Sequence, residues 1–140
     1  MAKVDMHVHS KFSNHPSEWF LQKLGTAESY TEPEYIYQKA KERGMNFVTL
    51  TDHNTIDGGL ILKETHPNDF FISNEATAYF PDERCKIHVL TYNITENQFK
   101  EIDKVRENVY EFRDYLKANN IAYSIAHATY AVNKKYLLKY

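Results

Sequence analysis

The chain runs to 140 residues, 42% hydrophobic and 26% charged, which is one domain's worth with enough apolar side chain to exclude a disordered protein. Its net charge of −2 is spread over interspersed acids and bases, so no nucleic-acid footprint is expected, and no run of about 18 apolar residues predicts a membrane segment. The lone Cys85 cannot close an internal disulfide, no apolar leader precedes the first strand, and a cytoplasmic protein is expected.

Residues 3–9 read as a first strand. Val4, Met6 and Val8 alternate with Asp5, His7 and His9, the two-residue period of a strand. Both imidazoles then leave one face, roughly 6.6–7 Å apart along the strand, a separation from which they can converge on one cation. A loop follows, with a short helix over 17–24 behind Pro16. Thr31, Pro33 and Glu34 give a capping box and a helix start, and Gly44 ends that helix as its C′ residue. Residues 45–51 form an apolar second strand. After the Gly58-Gly59 pair comes a helical segment near 60–64, closed by Pro67. Residues 70–75 are a third strand, which 76–80 continue or border. Pro81-Asp82-Glu83 is a turn, and 86–91 a fourth strand.

Thr95 and Gln98 make a second capping box before the longest helix, 96–117. Its Phe99, Ile102, Val105, Val109, Phe112 and Leu116 recur at three and four residues, one buried stripe. Residues 121–126 are a fifth strand, and Asn133 caps a last helix to Tyr140. Strands alternating with helices predict an α/β fold with a parallel sheet, doubly wound or a β/α barrel. Eleven Tyr and eight Phe supply core bulk and cleft walls.

The polar residues fall at strand ends. His7 and His9 end the first strand, Asp52 and His53 follow the second, Glu75 ends the third, His88 lies in the fourth and His127 ends the fifth. In β/α folds the C-terminal ends of parallel strands open on one face, where ligands bind. The pattern therefore predicts a metal cluster of His7, His9, His53, Glu75, His88 and His127. Imidazole with carboxylate suits Zn, Mn or Fe, and no thiolate joins the set. Six ligands exceed the need of one tetrahedral ion, and Glu75 can bridge two, so two or more ions are expected. Ions about 3.5–4 Å apart polarise a phosphoryl oxygen and activate water. Hydrolysis at phosphorus is the natural chemistry, with amide hydrolysis next.

Asp5 is read as support for the histidines or as packing at the barrel bottom, and Asp52 as orienting or capping, each ahead of ligation. Lys11, Arg84, Lys86 and Lys134 are phosphate contacts or solvated charges. Tyr92 and Tyr130 line a cleft or fill core, Cys85 is packing, and His66 is surface.

Together, Asp5-Met6-His7-Val8-His9-Ser10, Thr51-Asp52-His53-Asn54, the Glu75 strand end, Lys86-Ile87-His88-Val89-Leu90 and Ala126-His127 resemble the first four motif regions of the PHP (polymerase and histidinol phosphatase) family. Ser17-Glu18-Trp19-Phe20, Tyr30-Thr31-Glu32-Pro33 and Val105-Arg106-Glu107-Asn108 resemble PHP domains that precede group 1 glycosyltransferases. The resemblance implies a distorted (β/α)7 barrel, of which residues 1–140 are the N-terminal five-strand portion. It also implies two or three divalent ions and phosphoesterase action on a small phosphorylated substrate.

By the same resemblance, His7 and His9 hold a first metal and Glu75 bridges to a second held by His88 and His127. His53 is a ligand of a third and, with Glu75, a catalytic group. Asn14 or His15 completes the third site. The family's closing Asp-x-His has no counterpart, and Ala128 stands where a proline often follows the histidine. An incomplete barrel is thus expected, its open edge covered by self-association or by a C-terminal glycosyltransferase-like domain. The alternative function is a non-catalytic or truncated module that binds metal or a phosphoryl ligand for a fused or partner glycosyltransferase. An amidohydrolase is a third reading, drawn from the His-x-His pair.

Overall fold

A computed structural model describes residues 1–13, 29–83 and 85–128. Among these, helices and strands mix in an α/β arrangement: α1 (Pro33–Glu42), α2 (Asp57–Thr65), β1 (Ser73–Tyr79), β2 (Lys86–Tyr92), α3 (Glu96–Val105), α4 (Val109–Ala118) and β3 (Ala122–Ile125). The helices expected over 17–24 and from Asn133, and the candidates Asn14, His15, Arg84, Tyr130 and Lys134, lie outside the described residues.

The strands form one three-stranded sheet in the order β1-β2-β3, and both pairings are antiparallel. This departs from the parallel sheet expected above. Only residues 80–85 join β1 to β2, and a parallel return needs a crossover of a dozen residues or more. A hairpin is what the link allows.

The first two expected strands are segments joined to their neighbours by isolated backbone bonds and side-chain bonds. Residues 46–54 meet the β1 side at the parallel bridges Val48↔Phe70 and His53↔Glu75. Residues 3–10 lie along 46–52, where the Thr51 N–H donates to the Val8 carbonyl at 2.8 Å. The Asn46 N–H also donates to the Lys3 carbonyl at 2.8 Å, and side chains supply further bonds. The Val8 N–H donates to Thr51 Oγ1 at 2.9 Å, and the Ser10 N–H to Asp52 Oδ1 at 2.6 Å.

Helix α1 starts with Pro33 in its first turn, but the expected Thr31–Glu34 capping box does not form. Its N-cap is Glu32, whose carboxylate pairs with Lys11 at 2.7 Å, while Glu34 turns to His66 at 3.0 Å. The other end matches expectation: Gly44 sits at φ +78°. Its N–H reaches the Lys41 carbonyl at 2.9 Å and the Met45 N–H reaches Ala40 at 3.0 Å, a Schellman closure.

Helix α2 begins earlier than expected and includes Gly58 and Gly59. A Cβ on Gly58 would lie 2.9 Å from Ser10 Oγ and 3.0 Å from Asp52 Oδ2. The bare glycine lets the first turn of α2 close on that pair.

The helix expected over 96–117 is two helices. The Thr95–Gln98 capping box forms as expected, but Asn108 starts α4 by accepting the Tyr110 N–H at 3.0 Å. Between them the Arg106 carbonyl accepts the Tyr79 N–H at 3.0 Å, so the break ties the helices to β1. The apolar stripe survives the break. Ile102, Phe112 and Leu116 are buried with Val48, Leu62, Phe70, Ile87 and Val89 in one core, each such side chain contributing about 1.5–3 kcal/mol. Among the described residues no helix is long and apolar enough to cross a membrane.

Candidate metal centre

Glu75 lies within β1, fully buried. Its N–H donates to the Asp52 carbonyl at 3.1 Å, and its carbonyl accepts the Asn54 N–H at 3.0 Å. Asn54, at φ +51°, accepts the Thr77 N–H at 2.8 Å and donates to Thr77 Oγ1 at 3.1 Å. The turn that carries His53 is thus pinned to β1 on both sides of Glu75.

Five imidazoles surround that carboxylate. His7 Nε2 lies 2.7 Å from Oε2, His9 Nε2 3.1 Å and His53 Nε2 3.7 Å. On the other oxygen, His88 Nδ1 lies 3.1 Å from Oε1 and His127 Nε2 3.2 Å. The reversed course of β2 explains His88. It faces Thr77 in register, near the start of its strand, and the antiparallel pairing sets it two residues along β1 from Glu75. His127 follows β3 at φ +35°, with the Ala126 N–H on the His88 carbonyl at 2.9 Å. His7 and His127, with side chains 33% and 37% exposed, form the mouth, and His53 at 4% forms the floor.

Burial alone would raise the Glu75 carboxyl. The imidazoles of His7, His88 and His9, with His53 beside them, outweigh it and hold the group well below the ordinary carboxylate range. His127 is pushed down by burial, with His88, His7 and His53 adding to it against the pull of Glu75.

Two groups, His7–His9–Glu75 and His53–Glu75–His88, each hold donor atoms within 4.8 Å of one another, and they share the carboxylate. Glu75 Oε1 and His88 Nδ1 are buried 3.1 Å apart, yet neither completes a hydrogen bond. Buried polar atoms left so are costly. The donor set therefore fits a divalent cation.

The structure brings together His7, His9, His53, Glu75, His88 and His127; His15 lies outside the described residues. Asp5 is exposed and accepts the His7 N–H at 3.3 Å. Asp52 is buried and grips Ser10, through its N–H and its hydroxyl, at 2.6 Å each. Lys11 is occupied by Glu32, and Tyr92 meets Ser124 at 3.0 Å. Cys85 is buried, which pushes its thiol up. His66 is more than a surface residue, since its ring stacks on Tyr37 at 3.5 Å.

Sequence reasoning missed three supports, Ser10, Ser13 and Asn54. Ser13 Oγ lies 3.2 Å from His9 Nδ1 and accepts the His53 N–H at 3.1 Å. The available signals were hydroxyls in the turn after His-x-His, and after Asp52-His53 an Asn, a residue that tolerates positive φ.

No protein-family model matches the chain. An uncharacterized protein of Methanocaldococcus jannaschii is 42% identical over 62 residues, 44% of this chain and 34% of that protein. Among solved structures, an amidohydrolase from Chromobacterium violaceum, with bound sulfate and no metal, is similar with a TM-score of 0.52 at 19% identity, over 74% of this chain and 32% of that one. A Bifidobacterium adolescentis protein, provisionally assigned as a metal-dependent phosphoesterase, is similar with a TM-score of 0.47 at 20% identity, over 72% of this chain and 32% of that one. The chain spans about a third of the length of each of these three proteins. With the amidohydrolase it shares the fold.

Proposed function

We propose that the chain is the metal-binding part of a PHP-type hydrolase that cleaves a small phosphate ester. The observation that carries this reading is the double-sided Glu75, whose Oε2 faces His7, His9 and His53 while Oε1 faces His88 and His127. In this reading His7 and His9 would hold one divalent ion and His53, His88 and His127 another, with Glu75 common to both groups. Zn, Mn or Fe suit these donors. Such a pair, when bound, supplies the polarisation of a phosphoryl oxygen and a water acidic near pH 7.

The chain's residues do the positioning. Asn54 and Asp52 fix the ligand-bearing turns, and the partly exposed His7 and His127 form the side from which an ester would approach. His53 lies on the floor, so we give it a ligand's role and not a proton donor's. Burial of β3, exposed along its length, by a second copy or a glycosyltransferase-like domain extends the same reading. Amide hydrolysis is the second reading, because the same donors serve carbonyl polarisation and the C. violaceum protein of like fold is named an amidohydrolase.

Metal-loaded protein is expected to turn over an aryl phosphate faster than an aryl amide, and His7→Ala to abolish that turnover. Preferential amide cleavage would favour the second reading. Tight zinc binding with neither activity would point to a binding module that serves a partner.

A further inference from the structure

We infer that Ser13 is a positioning residue of this centre: its hydroxyl holds the His9 ring with Nε2 turned to Glu75 and ties that ring to the backbone of His53. The inference rests on the metal-centre reading above. Ser13 is fully buried, with Oγ 3.2 Å from His9 Nδ1 and 3.1 Å from the donating His53 N–H. A hydroxyl oxygen accepts two hydrogen bonds, so it takes both the His53 N–H and an Nδ1–H of His9. With the proton on Nδ1, the His9 lone pair sits on Nε2, the atom 3.0 Å from His7 Nε2 and 3.1 Å from Glu75 Oε2. The opposite tautomer would place a proton on the atom that has to bind the cation. Metal-bound imidazoles are commonly oriented by an acceptor on the far nitrogen.

The sharing gives this hydroxyl a second consequence. His9 belongs to one ligand group and His53 to the other. One oxygen therefore supports both halves of the centre. The turn itself is held by other bonds. The Ser13 N–H donates to the Ser10 carbonyl at 3.0 Å, and Ser10 is gripped by both oxygens of Asp52. Removing the Ser13 hydroxyl should leave the turn in place and release the ring.

Zinc is the probe, titrated against a chromophoric chelator into the full chain and its Ser13→Ala, Ser13→Thr and Thr91→Val variants. The His9 ring is followed by proton–nitrogen NMR in the zinc-loaded protein. Ser13→Ala is expected to weaken zinc binding roughly 10- to 100-fold and to lose the slowly exchanging Nδ1–H signal of His9. Ser13→Thr, which keeps the hydroxyl, restores both. Thr91→Val removes a buried hydroxyl bonded to Asn74 and leaves both unchanged. Equal zinc affinity in wild type and Ser13→Ala overturns the inference and leaves the centre standing, as does a wild-type His9 that ligates through Nδ1. No zinc uptake by the wild type overturns the metal-centre reading and this inference with it. Should Ser13→Ala fail to fold by circular dichroism, the wild-type spectrum decides.

Discussion

Histidine meets carboxylate in two regions of this molecule, and their surroundings differ. Between α1 and α2, His66 Nε2 lies 3.0 Å from Glu34 Oε2 and its ring stacks on Tyr37. Tyr37 donates to Asp69, which Lys41 also holds at 2.7 Å. Each group there has its own partner and a share of solvent. At Glu75, five imidazoles face one carboxylate that has no exposure at all. A carboxylate offers about four lone-pair sites, so five rings exceed what it can serve. Two Nε2 atoms 3.0 Å apart, those of His7 and His9, repel unless a proton or a cation lies between them. Residue type is the same in both regions; convergence is what separates a surface network from the makings of a cation site.

The comparison breaks if Glu75 is dispensable. Glu75→Gln keeps the size and removes the charge that both ligand groups share. It is expected to lower zinc affinity by more than the roughly 10- to 100-fold typical of a supporting residue, measured by chelator competition. Unchanged affinity would mean that the imidazoles bind without the bridge. A smaller effect separates the two sides of the carboxylate. His7→Ala and His88→Ala are each expected to halve the zinc bound per chain, read by elemental analysis of the purified protein. Loss of all zinc in either variant would mean one inseparable site.

The residues that gather at Glu75 stood out in the chain because they lie in or beside apolar runs of strand length. His7 and His9 also declared their shared face by simple alternation. The direction of β2 was not read, although Pro81-Asp82-Glu83 left too little chain for a crossover. That direction is what brings His88 beside Glu75. The break between α3 and α4 left the stripe of Phe99, Ile102 and Phe112 intact, so periodicity ran straight through it. At the break Asn108 caps α4 and the Arg106 carbonyl meets Tyr79, the second a contact between residues remote in sequence. Ser13 and Asn54 gave no periodic or charge signal. Their roles come from hydrogen bonds that exist only once three segments are side by side.

The smallest effect belongs to the surface network. Asp69 is held below the ordinary aspartate value of 3.8, first by the Lys41 ammonium and also by the Tyr37 hydroxyl, against the opposing effect of burial. A carboxyl with a lower pKa folded than unfolded contributes stability above its unfolded value and loses it as pH falls through the folded one. Asp69→Asn is therefore expected to cost less than about 1 kcal/mol near neutral pH, because both partners are partly exposed. The difference from wild type should fade as pH falls below the ordinary aspartate value. Urea unfolding of the two proteins at about pH 7 and about pH 3 measures it. Zinc affinity should be the same in both, since Asp69 touches none of the Glu75 ligands among its hydrogen bonds and ion pairs. A loss of zinc binding in Asp69→Asn would show that the two regions are coupled through α1 and α2, and the contrast between them would no longer hold.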